Sequence, residues 1–178
     1  TELRISVIAV NTFLAGTTGA VVAIYYSLVR TGKADLLLAC NGTLAGLVGI
    51  TAPCAWVAPW AAVVIGGIAA MVMIGAANLI ERKLKVDDPV GAVSVHGAAG
   101  LWGLLAVGIF ADGSYLDVSG FVDGNGIQFV AQLIAAAAAV LWALGTGFVL
   151  FRVLKLTMGL RASAEEERTG LDQPEHGE

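Results

Sequence analysis

The chain has 178 residues, of which 57% are hydrophobic and 13% are charged, and its formal net charge at pH 7 is −4. A soluble domain carries about 25% charged residues, so this composition excludes an ordinary soluble protein and favours a membrane protein. The sequence has no basic patch of the kind that binds nucleic acid. Its 23 glycines are typical of closely packed membrane helices.

Long uncharged stretches predict five membrane-spanning helices. The second and third share one uncharged run, which is too long for a single span, and Pro53 and Pro59 predict the turn that divides it. The five predicted spans are about 5–29, 36–51, 59–80, 89–111 and 126–154. Residues 1–156 would therefore form a transmembrane region, and 157–178 a polar tail.

The basic residues predict the orientation of these spans. All but Arg4 lie on the side of the membrane that also carries the tail. Basic loops face the cytoplasm, so we expect a multi-pass protein of the cell (inner) membrane with a cytoplasmic C-terminus. The basic residues on that side are Arg30, Lys33, Arg82, Lys83, Lys85, Arg152, Lys155, Arg161 and Arg168.

His96 lies in the fourth predicted span. We expect Asp88 to cap this helix and Pro89 to occupy its first turn. Counting about 1.5 Å per residue from there places His96 roughly 10 Å deep. An ionisable residue at membrane depth predicts a functional site, whereas a lone histidine in a soluble helix would more often be a packed core residue.

Other polar and small residues have simpler interpretations. Cys40 and Cys54 would lie about 21 Å apart on a continuous helix, beyond the reach of a disulfide. No metal-binding spacing or cofactor motif occurs. Glycines predict close helix contacts, and asparagines predict structural hydrogen bonds, with the lining of a pocket left open for Asn41. These residues are Gly42, Gly46, Gly97, Gly100 and Gly103, and Asn11, Asn41 and Asn78.

The polar tail contains one local structural signal. Ser163 precedes three glutamates and predicts the N-cap of a short helix, with acidic residues at its positive end. The tail is interpreted either as a solvated acidic end or as a docking segment.

Three stretches together resemble the ammonium transporter family (Amt/Mep/Rh): residues 41–54, 86–103 and 159–178. The resemblance implies an all-α, polytopic membrane protein. Members of that family are eleven-helix trimers whose subunits each hold a pore between two inverted five-helix repeats. This chain resembles the C-terminal half, helices seven to eleven. It begins at Thr1 without an initiator methionine, which we interpret as the start of either a fragment or a processed segment.

The resemblance also implies roles for individual residues. His96 matches the second histidine of a pore-lining pair, Leu44 and Ala92 would line the pore on either side of it, and Asp88 matches a structural acid at the start of the helix. The implied partners are the N-terminal half of the same transporter, further copies in a homotrimer, membrane lipid and a PII-type signalling protein. The tail residues implied to meet the PII-type protein are Gly159, Leu160, Arg161, Glu165, Glu166, Gly170, Leu171 and Asp172.

The function implied is conduction of ammonium or ammonia, with His96 taking part in substrate deprotonation and proton relay. An ammonium sensor or regulatory scaffold acting through the tail is the alternative. A membrane-embedded enzyme would need a nucleophile, a metal site or paired carboxylates at membrane depth, and the predicted spans contain none. We therefore expect a protein that is not an enzyme and uses no cofactor.

Overall fold

The computed structural model describes residues 2–114 and 117–170, and across these residues the chain is almost entirely helical. Its only β-type pairing there is a single bridge between Asp112 and Ser119. The α-helices are α1 (Glu2–Thr31), α2 (Leu36–Thr51), α3 (Pro59–Asn78), α4 (Ala99–Phe110), α5 (Ile127–Thr157) and α6 (Ala164–Thr169). Shorter helical turns are π-helical at Leu79–Leu84 and Val93–Ala98, and 3₁₀-helical at Phe121–Asp123.

Four of these helical segments are long and apolar enough to cross a membrane: Leu3–Thr31, Pro59–Leu84, Val93–Phe110 and Ile127–Thr157. The predicted second span, α2, is also apolar but has only 16 residues. That is shorter than the roughly 20 residues needed to cross the hydrocarbon core. The prediction of an all-helical, multi-pass membrane protein is confirmed.

The chain forms two compact units, Thr1–Ala137 and Ala138–Glu178. In the first unit α1 packs against α2 and α3, and α4 packs against the same two helices. Its interior is built largely from alanine, with few large side chains, so the helices approach closely. The fully buried residues include Ala15, Ala45, Ala61, Ala62, Ala69, Ala70, Ala99 and Ala106, with Ile50 and Ile65. In the second unit nearly every side chain on the rest of α5 is exposed.

Glycines allow α1 and α2 to touch through their backbones. A Cβ at Gly42 would lie 2.6 Å from the carbonyl oxygen of Gly19, and one at Gly46 would overlap that of Ala15. These two glycines make the close helix contact that their spacing predicts. Of the three glycines around α4, Gly103 also approaches another backbone closely, because a Cβ there would lie 2.6 Å from the carbonyl oxygen of Gly49.

Gly97 and Gly100 do not make comparable contacts. A Cβ at Gly97 would meet only Val93, at 3.7 Å, and one at Gly100 would meet Val48 at 3.6 Å. Both distances are ordinary van der Waals contacts, so among the described residues only Gly103 of these three glycines makes a close backbone contact.

The fourth helix begins later than predicted. Asp88 to Gly91 form a turn closed by a hydrogen bond from Gly91 N to Asp88 O (2.9 Å), with Pro89 inside that turn and not in the helix. Gly91 has φ +73°, a left-handed conformation that interrupts a right-handed helix. The helical residues therefore start at Ala92. Asp88 still caps the helix, but from across this turn.

Candidate functional site

His96 is exposed and lies beside the middle of the helical bundle. The preceding residue, Val95, is buried in a cluster with Ala45 of α2 and with Ala69 and Met73 of α3. These partners belong to the central turns of their helices. The later helix start leaves His96 only about one turn from Ala92, so the depth estimate counted from Pro89 does not apply. The contacts of Val95 nevertheless place His96 level with the centre of α2 and α3.

Leu44 and Ala92, the other two residues implied to line a pore, are also exposed, Leu44 to 45%. Helix α2 runs beside the segment that carries Ala92 and His96. Along it, Asn41 lies beside Gly91 and Val48 lies beside Gly100, while Ala45 and Val95 belong to one buried cluster. Leu44 precedes Ala45 and is thus at the same level as Ala92 and His96.

Asp88 is almost completely buried, at 5% exposed, and its carboxylate is held by the start of the next helical segment. Oδ1 accepts the Val93 N–H at 3.0 Å, and Oδ2 accepts the Ser94 N–H at 3.0 Å and the Ser94 hydroxyl at 2.7 Å. Burial raises the pKa of this carboxyl, but the hydrogen bonds from Ser94 and Val93 outweigh it, so the pKa of Asp88 is lowered. These contacts fit the structural role implied for Asp88.

Sequence reasoning missed Ser94. Its side chain is completely buried and its hydroxyl bonds Asp88 directly. The residue lies in a π-helical turn, Val93–Ala98, in which backbone hydrogen bonds skip one residue more than in an α-helix. A serine within an apolar run, six residues after an aspartate, was the available signal.

Hydrogen bonds account for two of the other polar side chains. Asn78 Nδ2 donates within its own helix, to Ile74 O at 2.8 Å, and Trp102 Nε1 donates to Ile65 O at 3.0 Å. Trp102 also packs edge-on against Phe110, at 6.4 Å between ring centroids. Asn41, half-buried, has no side-chain hydrogen bond within the described residues, so the structural bond predicted for it is not found there.

The two cysteines are free thiols. Burial raises the pKa of the Cys54 thiol, which favours its protonated, unreactive form. Among the described residues, no group of three or more His, Cys, Asp or Glu side chains is placed to hold a metal ion.

The tail begins with an ordered capping motif. Ser163 caps α6: its hydroxyl accepts the Glu166 N–H at 3.3 Å, and the Glu166 carboxylate accepts the Ser163 N–H at 2.7 Å. The bonds from Ser163 lower the pKa of Glu166. Arg161 pairs with Glu167, at 2.7 Å between Nε and Oε1. The predicted N-cap at Ser163 is confirmed.

The remaining residues implied to bind a partner flank this helix, except Glu165, which lies in its first turn. Gly159 and Gly170 both have positive φ, +79° and +88°, so the chain bends before and after α6. Leu160 and Glu165 are exposed. Leu171 and Asp172 lie outside the described residues.

A sequence model described as the Ammonium Transporter Family matches residues 1–178, the whole chain. This chain belongs to the ammonium transporter family. The resemblance noted in the sequence is thereby confirmed. Ammonium transporter Amt2 of Archaeoglobus fulgidus is 51% identical over 182 residues, covering 98% of this chain and 39% of that protein. Ammonium transporter 1 member 2 of Arabidopsis thaliana is 40% identical and covers 95% of this chain.

Solved structures of family members share this fold. One described as a Sensor Amt Protein superposes with a TM-score of 0.87 at 36% identity, covering 99% of this chain and 43% of that one. Mep2 of Saccharomyces cerevisiae superposes with a TM-score of 0.83 at 30% identity and covers 92% of this chain. The chain spans only 34–39% of the length of the two curated relatives.

Proposed function

We propose that this chain supplies one half of the pore of an ammonium or ammonia channel, and that His96, Leu44 and Ala92 face that pore. The observation that carries the proposal is the position of His96: it is exposed, yet level with the centre of α2 and α3. An imidazole at that depth has no water in a hydrocarbon core and needs a polar path or partner. Helices from the remainder of the protein would cover this face and supply the partner histidine.

The proposed role of His96 is to handle the proton of the substrate. Ammonium is a small cation, and bringing it to the middle of a low-dielectric region is costly. A pore that removes the proton passes neutral ammonia. Each imidazole has one nitrogen that can donate and another that can accept, so two hydrogen-bonded imidazoles can relay the proton separately.

The location and partners follow from the same proposal. The proposed location is the cell (inner) membrane with a cytoplasmic tail. Basic residues at the end of α1, after α3 and at the end of α5 support this orientation. The proposed assembly is a homotrimer in membrane lipid, each subunit made of this chain and an N-terminal half. The tail, with α6 at its centre, would bind a PII-type signalling protein.

Transport is preferred to sensing because the curated relatives named above are described as ammonium transporters. One solved structure of the same fold is described as a sensor, so the fold itself does not separate the two functions. A measurement of ammonium flux separates transport from sensing. A conducting protein moves substrate after purification and reconstitution, whereas a sensor needs only to bind it.

The test is His96→Ala in the complete protein. Methylammonium uptake is measured in vesicles at matched protein levels, beside a control variant, His176→Ala, which changes the chain's other histidine. We expect His96→Ala to lower uptake strongly or change substrate selectivity, and His176→Ala to behave like the parent. If His96→Ala has the same uptake and selectivity as the parent, His96 contributes only to packing and the proposal is overturned.

A further inference from the structure

Burial along the segment that carries His96 changes in pairs of residues. Ala92 and Val93 are exposed, the next two are buried, and His96 and Gly97 are exposed again. These residues, except Ala92, lie in the π-helical turn of Val93–Ala98, in which hydrogen bonds join residues five apart. The direction of His96 therefore depends on this local register.

One side chain ties that register to the core. The Ser94 hydroxyl, fully buried, donates to Asp88 Oδ2 at 2.7 Å, the shortest of the three hydrogen bonds to that carboxylate. A hydrogen bond to an ionised acceptor is stronger than one between neutral groups. The bond between Asp88 and Ser94 thus fixes the buried side of the first helical turn. His96, two residues later, lies on the exposed side.

We propose that Ser94 is a positioning residue for His96: its hydroxyl, bonded to Asp88, holds the π-helical register that directs the imidazole toward the pore. The inference rests on the proposed function. Without the hydroxyl, Asp88 keeps only its two backbone donors. The turn can then adopt the commoner α-helical hydrogen bonding, which rotates His96 relative to α2.

Such a rotation alters chemistry more than stability. Proton transfer requires the imidazole to lie within hydrogen-bonding reach of its partner, and small displacements of a reacting group change rates steeply. The ratio of methylammonium flux to ammonium flux is a suitable readout, because it does not depend on how much protein is folded. The pH dependence of flux is the second readout.

Three variants of the complete transporter isolate the hydroxyl. Ser94→Ala removes it, and Ser94→Cys nearly keeps the volume but replaces it with a weak donor. The matched control is Ser27→Ala, which removes another buried hydroxyl, one that bonds Ile24 O (2.8 Å) and Asp35 N (3.2 Å) at the α1–α2 turn. We expect both Ser94 variants to change the flux ratio by about fivefold, the usual effect of one hydrogen bond. Ser27→Ala should leave the ratio and the pH profile unchanged.

The outcomes separate this inference from the function on which it rests. If Ser94→Cys behaves like the parent, the volume of the side chain matters and not its hydrogen bond, and the inference fails. If His96→Ala changes the ratio while both Ser94 variants leave it unchanged, the inference fails and the proposed function stands. If His96→Ala leaves the ratio unchanged, the proposed function itself fails. Should neither Ser94 variant fold, Ser94 serves stability alone, and the positioning role is overturned.

Discussion

Asn11 of α1 donates two hydrogen bonds through Nδ2, one to the carbonyl oxygen of Cys54 and one to that of Val57, each at 2.9 Å. The side chain is fully buried. Both carbonyls belong to the turn between α2 and α3, whose backbone groups need partners once they leave water. This single amide therefore holds that turn against the start of α1.

Replacing Asn11 should destabilise the protein in a way that depends on the new side chain. Asn11→Ala leaves two buried carbonyls without their donor, at a cost of about 1–3 kcal/mol. Asn11→Asp should be worse, because a carboxylate cannot donate and would face two carbonyl oxygens. The measurement is the midpoint of thermal unfolding in detergent. The control is Asn78→Ala, which loses only a bond within its own helix, and equal midpoints for Asn11→Ala and this control would contradict the prediction.

Asp88 should make stability depend on pH in the acid range. Its pKa is lower in the folded protein than the ordinary value of about 3.9. The stability it contributes is therefore complete above that ordinary value and is lost as the pH falls through the folded pKa. An asparagine at this position does not titrate. Its NH2 group would replace one carboxylate oxygen and would face a hydrogen-bond donor of Ser94 or Val93, so that donor would lose its acceptor.

The comparison is made between parent and Asp88→Asn, with thermal unfolding followed from pH 7 to pH 3. We expect the variant to be less stable at neutral pH by about 1–3 kcal/mol, the cost of an unmet buried polar group. The difference should narrow as the pH falls below about 4. A difference that stays constant across this range would show that the Asp88 charge is not what the hydrogen bonds stabilise.

The contact between α1 and α2 should tolerate no side chain at Gly46. A Cβ there would overlap the Ala15 carbonyl oxygen, which is backbone and cannot move aside without separating the helices. Gly75→Ala is the matched control, because a Cβ at Gly75 meets nothing within 4 Å. We expect Gly46→Ala to lower the unfolding midpoint and the yield of folded protein, with Gly75→Ala unchanged. Equal behaviour of the two variants would mean that α1 and α2 do not pack through this glycine.

Much of the helix arrangement could be predicted because bilayer thickness restricts it. The lengths of the uncharged stretches, together with Pro53 and Pro59, predict where helices begin and end. Helix α2 has the predicted bounds, Leu36–Thr51. The turn before His96 could not be predicted in the same way. An apolar run has the same composition whether its hydrogen bonds are α- or π-helical, and only the left-handed Gly91 delays the helix to Ala92.

Side-chain partners were the least predictable feature. The hydrogen-bond partners of Asn11 are Cys54 and Val57, which lie 43 and 46 positions further along the chain. The sequence around Asn11 does not indicate either partner. The buried role of Ser94 likewise depends on a turn that places Asp88 beside it. By contrast, the Ser163–Glu166 capping box was predictable, because both partners lie within one helical turn.

Residues 1–178 alone should not conduct ammonium. Under the proposed function, His96 is exposed because the helices that would enclose the pore on its other side belong to the rest of the protein. Purified chain is reconstituted into vesicles and ammonium flux is measured by internal pH, with the complete transporter as the positive control. Flux equal to that of the complete protein would overturn the proposal that this chain supplies only half of the pore.

The tail should bind a PII-type protein and need not be part of the pore. Truncation after Gly159 removes α6 together with its exposed acidic residues and leaves all the spanning helices in place. We expect the truncated transporter to lose binding of a PII-type protein and the regulation of its flux by that partner.

A finer variant, Ser163→Ala, removes one half of the capping box, at a cost of about 1 kcal/mol to a helix of only six residues, and should weaken binding without abolishing it. Binding and flux are both measured on the parent, the truncation and Ser163→Ala. If neither changes in the truncated protein, the tail is only a solvated end; if flux falls without any added partner, the tail acts on the pore directly.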